Sequence, residues 1–565
     1  MNIYRSIRIL LILILFGSFT SQAKIYHVST FTELESVIIS LLPGDTVLLA
    51  AKEWNNVTLT FKGEGTPEAP IVFGAEVPGQ TFLTGSSRIQ ISGKWLVVRD
   101  FIFKDGNISN SCSIVEFRTD SDELAYNCRL TNVSILSYNP TNKDIDTKYV
   151  SLYGTNNRVD HCTLLGKTNS GATLVVWLDE TPDYHLIDHN YFGPREDLGY
   201  NGGETIRIGT SDWERYNSNC IVEYNLFEEC DGEIEIISNK SVGNHYRYNT
   251  FDRCEGTLTL RHGSDCWVYG NFFFGDLSKD CGGIRIIGPG HRVFNNYLEN
   301  LNGTSYRAAI SLVNGIPDSP ANGYRQVDDA RVGYNTIINC KEPFAIGAGV
   351  DEEKTLPPIN SYIENNLIVA RSGLDLVKDY ASTDGVSWKG NIHNADKIGI
   401  TADGFIKAEL PMINDGTLYR PDDGNPAIGA ALNGVFDTIT VDIDGQSRPL
   451  NGKDIGCDQV SNNPVVIKPL TNKDVGAHYD SSTYADKILL PKHIIKIEDG
   501  VAKLYFERTD SYMVSFYSMM GQELSKKAVS GNFYVQNIVS YPPVFVVDIR
   551  SSNSRYVTKI INNSF

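Results

Sequence analysis

The sequence has a single long hydrophobic run, and that run lies at its start. Residues 9–19 follow Arg5 and Arg8 and precede Ser21-Gln22-Ala23, which is the pattern of a secretory signal peptide. The residue directly after the small-residue site is not a cysteine, and no later segment stays apolar over the about 20 residues that a membrane helix needs. We therefore expect residues 1–23 to direct export and the protein to be periplasmic, cell-surface or secreted, without a lipid anchor or membrane insertion.

Cysteine and positive charge are also scarce. Ten cysteines in 565 residues are too few for a scaffold of disulfides. The 68 acidic residues outnumber the 50 lysines and arginines, and the net charge of −18 argues against nucleic acid and anionic membranes as partners. Residues 240–331 depart from this balance with ten basic and nine acidic residues, so an acidic polysaccharide would meet the least repulsion there.

A short motif, asparagine followed two positions later by Phe, Leu or Ile, recurs through the middle of the chain. Successive copies are 35, 24, 22, 25, 39 and 31 residues apart. Each unit contains short β-rich runs separated by Gly and Asn, without the amphipathic pattern of a helix. This favours a right-handed parallel β-helix over leucine-rich or helical repeats. The copies begin at Asn190, Asn225, Asn249, Asn271, Asn296, Asn335 and Asn366.

The repeat also predicts roles for its residues. Recurrent asparagine suits turns that need the left-handed backbone conformation, and its side-chain amides can stack along the solenoid axis. Cys230, Cys254 and Cys340 each lie five residues after a motif asparagine. We expect these cysteines to occupy stacked, unpaired interior positions, although an exported protein can also form disulfides.

The two ends of the repeat carry different signals. Thr30 and Glu33 have capping-box spacing for a short helix that runs to about Leu42 and covers the open end of the solenoid. We interpret residues 442–456 as the final coil and residues 461–464 as a linker. The prediction is an all-β chain, with a parallel β-helix over 24–460 and a small C-terminal β-sandwich-like domain, accessory or sorting in role, over 465–565.

The segment from Asn225 to His262 has the strongest functional signal. Strand alternation predicts that Glu233 and Glu235 project from one face while Ile234 and Ile236 enter the core. Aligning this strand with its neighbours by their inward Ile and Leu residues predicts an outward column across four coils. That column contains Arg207, Glu235, Thr259 and Arg285.

Adjacent carboxylates repel each other unless a cation lies between them, and Ca²⁺ accepts about six to eight oxygen ligands in a loose geometry. The candidate oxygen ligands are Glu204, Glu233, Glu235 and Asn201. A cation there would neutralise the carboxylate of a uronic acid and make its C5 proton removable, as β-elimination requires. Lys240 would take that proton, and Arg261 would protonate the leaving oxygen or stabilise its charge.

Four segments resemble polysaccharide lyase family 6, which contains alginate lyases and chondroitinase B: residues 201–209, 230–241, 260–263 and 314–320. The resemblance covers roughly residues 24–460 and implies a β-helix enzyme that uses Ca²⁺ with a Lys/Arg pair. It implies Lys240 as base and Arg261 as acid, with Glu204, Glu233 and Glu235 as metal ligands. The substrate contacts that it implies are His262, Arg207 and Arg285.

Several functions are compatible with these residues. The segment NGGETIRIG at 201–209 is more similar to the alginate-cleaving members, so we expect a poly(β-D-mannuronate) lyase whose partner is the anionic polysaccharide alginate. A lyase of dermatan sulfate and a non-catalytic glycan-binding protein stay open as alternatives. A glycoside hydrolase is disfavoured because it needs two carboxyl groups spaced as acid and base or nucleophile, whereas the acidic pair here shares one strand with Lys and Arg beside it.

Overall fold

Three long, almost wholly parallel sheets form the main body of the protein. The computed structural model describes residues 23–479, 493–498, 501–518, 523–538, 544–550 and 555–561. Within this part of the chain each sheet has 14 strands, and from residue 129 to residue 389 successive strands belong to different sheets, so the chain winds around one apolar interior. The predicted right-handed parallel β-helix is confirmed. The predicted signal peptide lies outside the described residues, apart from Ala23.

The three sheets are called sheets 1, 2 and 3 here, and in the central part of the chain each coil passes from sheet 1 to sheet 3 and then to sheet 2. Sheet 1 contains Ile25–Val28, Thr46–Leu49, Ile71–Ala75, Leu96–Arg99, Arg129–Thr131, Arg158–Asp160, Leu186–Asp188, Ile221–Glu223, His245–Arg247, Trp267–Tyr269, Arg292–Phe294, Arg331–Gly333, Ser361–Glu364 and Val386–Lys389. Sheet 3 contains Glu53–Asn55, Thr81–Gly85, Phe101–Gly106, Ser134–Leu136, Thr163–Leu165, Tyr191–Phe192, Leu226–Glu228, Thr250–Asp252, Phe272–Phe274, Tyr297–Glu299, Thr336–Ile338, Leu367–Val369, Asn391–His393 and Phe405–Lys407. Sheet 2 contains Thr58–Glu64, Arg88–Lys94, Cys112–Glu116, Arg118–Asp120, Glu123–Tyr126, Thr147–Leu152, Leu174–Val176, Ile206–Ile208, Glu235–Lys240, Thr257–His262, Ile284–Ile286, Ile310–Val313, Phe344–Ala348 and Val377–Asp379.

The remaining elements lie at the ends and in the connections. Two short 3₁₀ helices, Ser211–Trp213 and Ser305–Arg307, lie in connections between sheets, and Met412–Asn414 pairs with Tyr419–Pro421 in a hairpin. The described residues of the predicted C-terminal domain form a five-stranded antiparallel sheet. Its strands are His493–Glu498, Val501–Ser518, Glu523–Asn537, Val544–Arg550 and Arg555–Ile561. No helix in the described part of the chain is long and apolar enough to cross a bilayer.

A ladder of buried asparagines aligns one coil with the next at the corner between sheets 1 and 3. The Oδ1 of each asparagine accepts hydrogen bonds from the backbone N–H and the side-chain Nδ2 of the asparagine one coil earlier, at 2.9–3.1 Å. The ladder contains Asn190, Asn225, Asn249, Asn271, Asn296, Asn335, Asn366 and Asn391. The predicted stacking of amides is therefore confirmed and extends one coil further.

The left-handed backbone at this corner belongs to the residue before each ladder asparagine. Tyr224 has a φ of 52° and Tyr248 a φ of 58°, whereas the ladder asparagines themselves have negative φ. The prediction that the motif asparagines adopt this conformation is wrong. Their side chains are needed for the axial hydrogen bonds, and the preceding residue makes the turn.

The other motif positions stack in the interior. Phe192, Phe227, Phe251 and Phe273, each two residues after a ladder asparagine, lie face to face with ring centroids 4.5–4.9 Å apart. Cys230 and Cys254 lie on adjacent coils, and the Cys230 N–H donates to the Cys254 sulfur over 3.4 Å. All ten cysteines are unpaired, and all except Cys112 are buried, which agrees with the expectation for interior thiols.

The N-terminal end follows its sequence prediction closely. The α-helix Phe31–Ile38 begins after Thr30, whose Oγ1 accepts from the Glu33 N–H, while the Glu33 carboxylate accepts from the Thr30 N–H. Leu34 on this helix is buried in the main apolar core. The helix ends four residues earlier than predicted.

The C-terminal part of the β-helix region differs from its prediction. Residues 442–456, predicted as the final coil, contribute no strand to the three sheets and instead return along the corner between sheets 1 and 3. There Asn295 donates to the Val441 carbonyl and the Gly456 N–H donates to the Asn365 carbonyl. The segment follows local turns, because the Asp442 carboxylate accepts from the Gln446 and Gln459 N–H groups.

Residues 465–479, assigned from sequence to the C-terminal domain, lie along the outer side of sheet 3. The Leu470 N–H donates to Thr250 Oγ1 and the Ala477 N–H donates to Thr163 Oγ1, both at 2.9 Å. The Tyr479 hydroxyl donates to Ser134 Oγ over 2.8 Å. In space this segment accompanies the β-helix, and the antiparallel sheet begins only at residue 493.

Asn249 tests whether the asparagine ladder stabilises the fold. Replacing Asn249 with Ala removes the side-chain partners of the Asn225 N–H and the Val222 carbonyl, both buried on the preceding coil, at about 1–3 kcal/mol for each lost partner. We expect Asn249→Ala to lower the free energy of unfolding by about 3 kcal/mol in urea denaturation. The exposed Asn142 is the matched control, and equal effects of Asn249→Ala and Asn142→Ala would contradict a stabilising ladder.

Candidate active site

The residues singled out from the sequence lie on the outer face of sheet 2. Six of them belong to the adjacent strands Ile206–Ile208, Glu235–Lys240, Thr257–His262 and Ile284–Ile286, and the other three, Asn201, Glu204 and Glu233, directly precede the first two of these strands. The register of these strands places one outward column across the four coils. That column contains Arg207, Ser238, Thr259 and Arg285.

The predicted place of Glu235 in this column is wrong, and so is the shared strand face of Glu233 and Glu235. Glu233 lies in a bend before the strand, and a register shift falls between Glu235 and Ile237. Ile236 and Ile237 are consecutive and both belong to the main apolar core, whereas in a regular strand neighbouring side chains point to opposite faces. The bulge adds one residue and moves every later side chain to the opposite face from the one that simple alternation predicts.

The three glutamates nevertheless form one buried acidic cluster. Burial, together with the charges of Glu204 and Glu235, raises the pKa of Glu233 to about 8. Glu233 accepts from the Gly202 N–H over 3.2 Å, and Glu235 accepts from Ser238 Oγ. One oxygen of Glu204 and one of Glu233 are buried without any hydrogen-bond partner in the structure. Buried acceptors of this kind are costly unless a cation or water occupies the space before them.

Close backbone approach brings two of these glutamates together. A Cβ on Gly203 would lie 2.1 Å from the Gly232 carbonyl oxygen, so only glycine allows the Glu204 loop to lie against the Glu233 bend. Asn201, the fourth predicted oxygen ligand, is exposed in the same loop.

Lys240 is the last residue of its strand, and it is paired in register with His262 on the next coil. Its side chain is partly exposed and has neither a hydrogen-bond nor an ion-pair partner among the residues the structure describes. The charge of Lys240 opposes the rise in the pKa of Glu233 and adds to the fall in the pKa of His262, so the amine lies within electrostatic reach of both. No carboxylate in the described part of the chain forms a salt bridge with the Lys240 amine.

Arg261 is held in one orientation by several groups. Its Nη1 donates to the Gly323 carbonyl over 2.7 Å and its Nη2 donates to the Asn322 carbonyl over 3.2 Å. Its guanidinium lies 4.1 Å from the ring centre of Tyr324, and its Nε is 3.6 Å from Glu235 Oε1. These contacts fix the planar guanidinium in one orientation on the outer face of sheet 2.

Arg285 shares the same acidic and aromatic partners. Its Nη1 is 3.6 Å from Glu235 Oε1, and its Nη2 donates to the Tyr324 hydroxyl over 3.0 Å. Its guanidinium also lies 4.3 Å from the ring centre of Tyr306. The structure thus brings Arg261 and Arg285 together around Glu235, which explains how that buried carboxylate is balanced.

The other two predicted substrate contacts differ in character. Burial, with the charges of Arg261, Lys240 and Arg325, lowers the pKa of His262 to about 3, so the ring is neutral. Its Nε2 is 3.2 Å from Ser211 Oγ. Arg207 is more accessible: its Nη1 lies 4.0 Å from Glu204, and its guanidinium lies 5.2 Å from the ring centre of Trp177.

Sequence reasoning missed the two tyrosines that contact the arginines. Tyr324 follows the segment 314–320 that carries part of the family resemblance, and its Asn-Gly-Tyr context marks a turn. Tyr306 belongs to a short 3₁₀ helix with no sequence signal of its own. Neither residue is near the glutamates in sequence, so only folding shows the contact.

A second acidic cluster lies away from sheet 2. Asp442, Asp444 and Asp458 are buried with their oxygens close together. Arg420 donates to both oxygens of Asp444 and is 3.2 Å from Asp458. This arginine occupies the position that a metal ion would need, so the cluster is balanced within the protein.

Comparison with known proteins identifies the family. The family model described as Chondroitinase B matches residues 28–429. The structure of a polysaccharide lyase family 6 alginate lyase, AlyGC, is 35% identical, with a TM-score of 0.72 over 81% of this chain and 59% of its own length. A mannuronic acid specific family 6 lyase from human gut microbiota is 30% identical, with a TM-score of 0.63 over 69% of this chain and 92% of that protein. No curated protein sequence matches.

The fold and these comparisons together place the chain among β-helix proteins of the polysaccharide lyase class. The chain belongs to the chondroitinase B family, polysaccharide lyase family 6. It spans 59% of the length of AlyGC, the first of these relatives.

A substitution of Glu235 tests whether its charge balances those of Arg261 and Arg285. At pH 7 Glu233, with a pKa of about 8, is largely protonated, so removing Glu235 relieves little repulsion and leaves Arg285 and Arg261 without their carboxylate. Breaking such a buried pair costs about 3 kcal/mol. We expect Glu235→Ala to lower the free energy of unfolding by about that amount in a chelator-containing buffer. Glu123→Ala, which removes an exposed ion pair with Lys62, is the control and should change stability little; a Glu235→Ala protein as stable as the control would refute this balance.

Proposed function

We propose that this protein is a Ca²⁺-dependent polysaccharide lyase that cleaves mannuronate-containing alginate by β-elimination. The observation that carries the proposal is the arrangement around Lys240. An amine without a salt-bridge partner in the described chain lies within electrostatic reach of a buried glutamate cluster that has unpartnered oxygens, beside the fixed guanidinium of Arg261. A structural cluster of charges would pair its own members, whereas this one leaves both an amine and two carboxylate oxygens available.

The donor set of the acidic cluster fits Ca²⁺. Glu204, Glu233 and Glu235 offer only oxygen, the ligand type that this ion prefers, and Asn201 lies in the adjoining loop. The unpartnered oxygens of Glu204 and Glu233 are the acceptors that a cation would satisfy. Bound there, Ca²⁺ would neutralise the uronate carboxylate and so acidify the proton at C5.

The side chains of the protein perform the transfers in the proposed reaction. The Lys240 amine takes the proton from C5, and the electron pair of that C–H bond forms the C4–C5 double bond. The C4–O bond breaks at the same time, and its electron pair moves to the leaving oxygen, which is protonated through Arg261. Arg207, Arg285 and neutral His262 would hold the uronate carboxylates and hydroxyls in the groove.

The choice of substrate rests on similarity and charge. AlyGC is an alginate lyase, and the gut relative is described as specific for mannuronic acid. Arginines along sheet 2 give an otherwise acidic protein a surface suited to an anionic glycan. Because the family model carries the name of chondroitinase B, dermatan sulfate is the second candidate substrate. Export through residues 1–23 would bring the enzyme to such extracellular polymers.

Lys240 gives the most direct test of the chemistry. Elimination creates a double bond conjugated to the carboxylate, and this product absorbs ultraviolet light, whereas hydrolysis and binding create none. We expect an absorbance rise on polymannuronate that Lys240→Ala slows by about 10³-fold, the usual contribution of a general base. Lys94→Ala, far from the glutamates on the same sheet, is the control and should keep full activity. A rise only on dermatan sulfate would change the substrate, and no rise on either polymer would exclude the lyase.

The acidic cluster can be tested independently of activity through melting temperature. Ca²⁺ that binds the folded state alone stabilises it by mass action, so the wild-type Tm should rise with added Ca²⁺. Glu233→Gln removes one ligand and should suppress this rise, while its Tm in chelator should stay close to the wild-type value, because the amide is neutral like the largely protonated carboxyl group that it replaces. Exposed Glu68→Gln should behave like wild type. A normal Ca²⁺ response in Glu233→Gln would remove this residue from the metal site.

A further inference from the structure

A second row of side chains runs along sheet 2 beside the outward column of the site. On each coil it contains the residue directly after one register-paired row of buried residues, Leu152, Val176, Ile208, Asn239 and Leu260. Its members are therefore Tyr153, Trp177, Gly209, Lys240 and Arg261, with Arg118 on the coil before Tyr153. A register shift at the end of the strand pairs Lys240 itself with His262, the neighbour of Arg261. We call this the outer row. Because the two proposed catalytic residues are consecutive members of the outer row, a glycan that reaches both would extend along it, parallel to the solenoid axis.

On the N-terminal side of Lys240 the outer row is accessible at Arg118, Tyr153 and Trp177, whereas Gly209, between Trp177 and Lys240, is buried and carries no side chain. The Arg118 guanidinium lies 3.9 Å from the ring centre of Tyr153, and the Tyr153 and Trp177 rings stack with centroids 6.1 Å apart and an interplanar angle of 11°. The other face of this stack is approached by Arg207, 5.2 Å from the ring centre of Trp177. All four side chains are partly exposed. They offer fixed cations and aromatic edges to an anionic sugar chain.

On the C-terminal side of Arg261 the outer row changes abruptly. Its next three members are Ile287, Val313 and Ala348, and each is 0% exposed. These residues form a small apolar cluster of their own, covered by Tyr306, Tyr324 and Tyr380. We call this cover the tyrosine cap. Arg261 is therefore the last accessible position of the outer row.

The tyrosine cap is part of a braced structure. Gly315 and Leu356 exchange two backbone hydrogen bonds, at 2.7 and 2.9 Å, and join the loop of Tyr324 to the following loop. Asn314 and Gln326 add side-chain bonds to the carbonyls of Lys354 and Pro357. The Tyr324 loop is also bonded to Arg261 through the Gly323 carbonyl. A glycan could not continue over the cap without breaking these contacts.

Building on the proposed lyase function, we propose that the enzyme is exolytic and cleaves close to one end of its uronate polymer. The coils advance by about 4.8 Å, close to the length of one sugar residue. The polymer therefore occupies the coils from Arg118 to Lys240, and at most two residues lie between the broken bond and the tyrosine cap. Each turnover releases that short end, and the long remainder stays on the open side.

The sizes of the products test whether cleavage is exolytic. We expect wild-type enzyme on polymannuronate to produce monosaccharide and disaccharide from the first minutes, while gel filtration shows the remaining polymer long and the viscosity falls slowly relative to absorbance. A rapid fall in viscosity with a ladder of medium oligosaccharides would overturn the inference. An absorbance rise establishes the lyase in either case, so endolytic products would refute only the exolytic mode, whereas no absorbance would refute the proposed function and this inference with it.

The open side is tested through substrate length. Trp177→Ala removes the centre of the aromatic stack, so we expect KM for oligomers of five or more residues to rise about tenfold while kcat/KM for a trisaccharide changes less than about twofold. Trp267→Ala is the matched control, because Trp267 is also partly exposed but lies on sheet 1. An equal loss of Trp177→Ala activity on all lengths would show that no distal subsites exist there.

Discussion

Each coil of the central β-helix contains a buried asparagine whose side-chain amide needs hydrogen-bond partners, and this need constrains the fold more than any other feature. The asparagine ladder keeps one corner of the β-helix invariant, since each side chain holds the backbone of the coil before it. The spacing between ladder asparagines still varies from 22 to 39 residues. Extra residues must therefore emerge at the other corners, next to sheet 2.

The proposed site is built from those extra residues. The 35-residue interval before Asn225 contains the loop of Glu204 and the 3₁₀ helix of Ser211, and the 39-residue interval before Asn335 contains Tyr306 and Tyr324. The shortest coils, between these two insertions, present Lys240 and Arg261 at the ends of adjacent strands of sheet 2. The strands of sheet 2 and the two insertions beside them thus follow from one constraint at the opposite corner. The second insertion, which contains Tyr306 and Tyr324, covers the outer row on one side of the site, while the other side stays accessible.

Electrostatics separates the site from the rest of the solenoid. On sheet 1 buried carboxylates have arginines beside them. Burial alone would raise the pKa of Asp160, but Arg129 on the adjacent coil and Arg158 on the same strand hold this pKa well below its usual value. The same fold leaves oxygens of Glu204 and Glu233 without partners on sheet 2. Since arginine ladders are available to this architecture, the unbalanced cluster is a property of the site, and it is consistent with a cation supplied from solution.

The sequence by itself determined the β-helix, its capping helix, the stacked interior and the identity of the charged residues, because these follow from period, spacing and residue type. It misplaced Glu235, since a bulge cannot be seen in a pattern where Ile236 and Ile237 both suit the interior. It also took residues 442–456 for a coil and did not find Tyr306 or Tyr324. Only the tertiary structure decided which side chains meet across coils, because those contacts depend on register and loop paths that no local preference encodes.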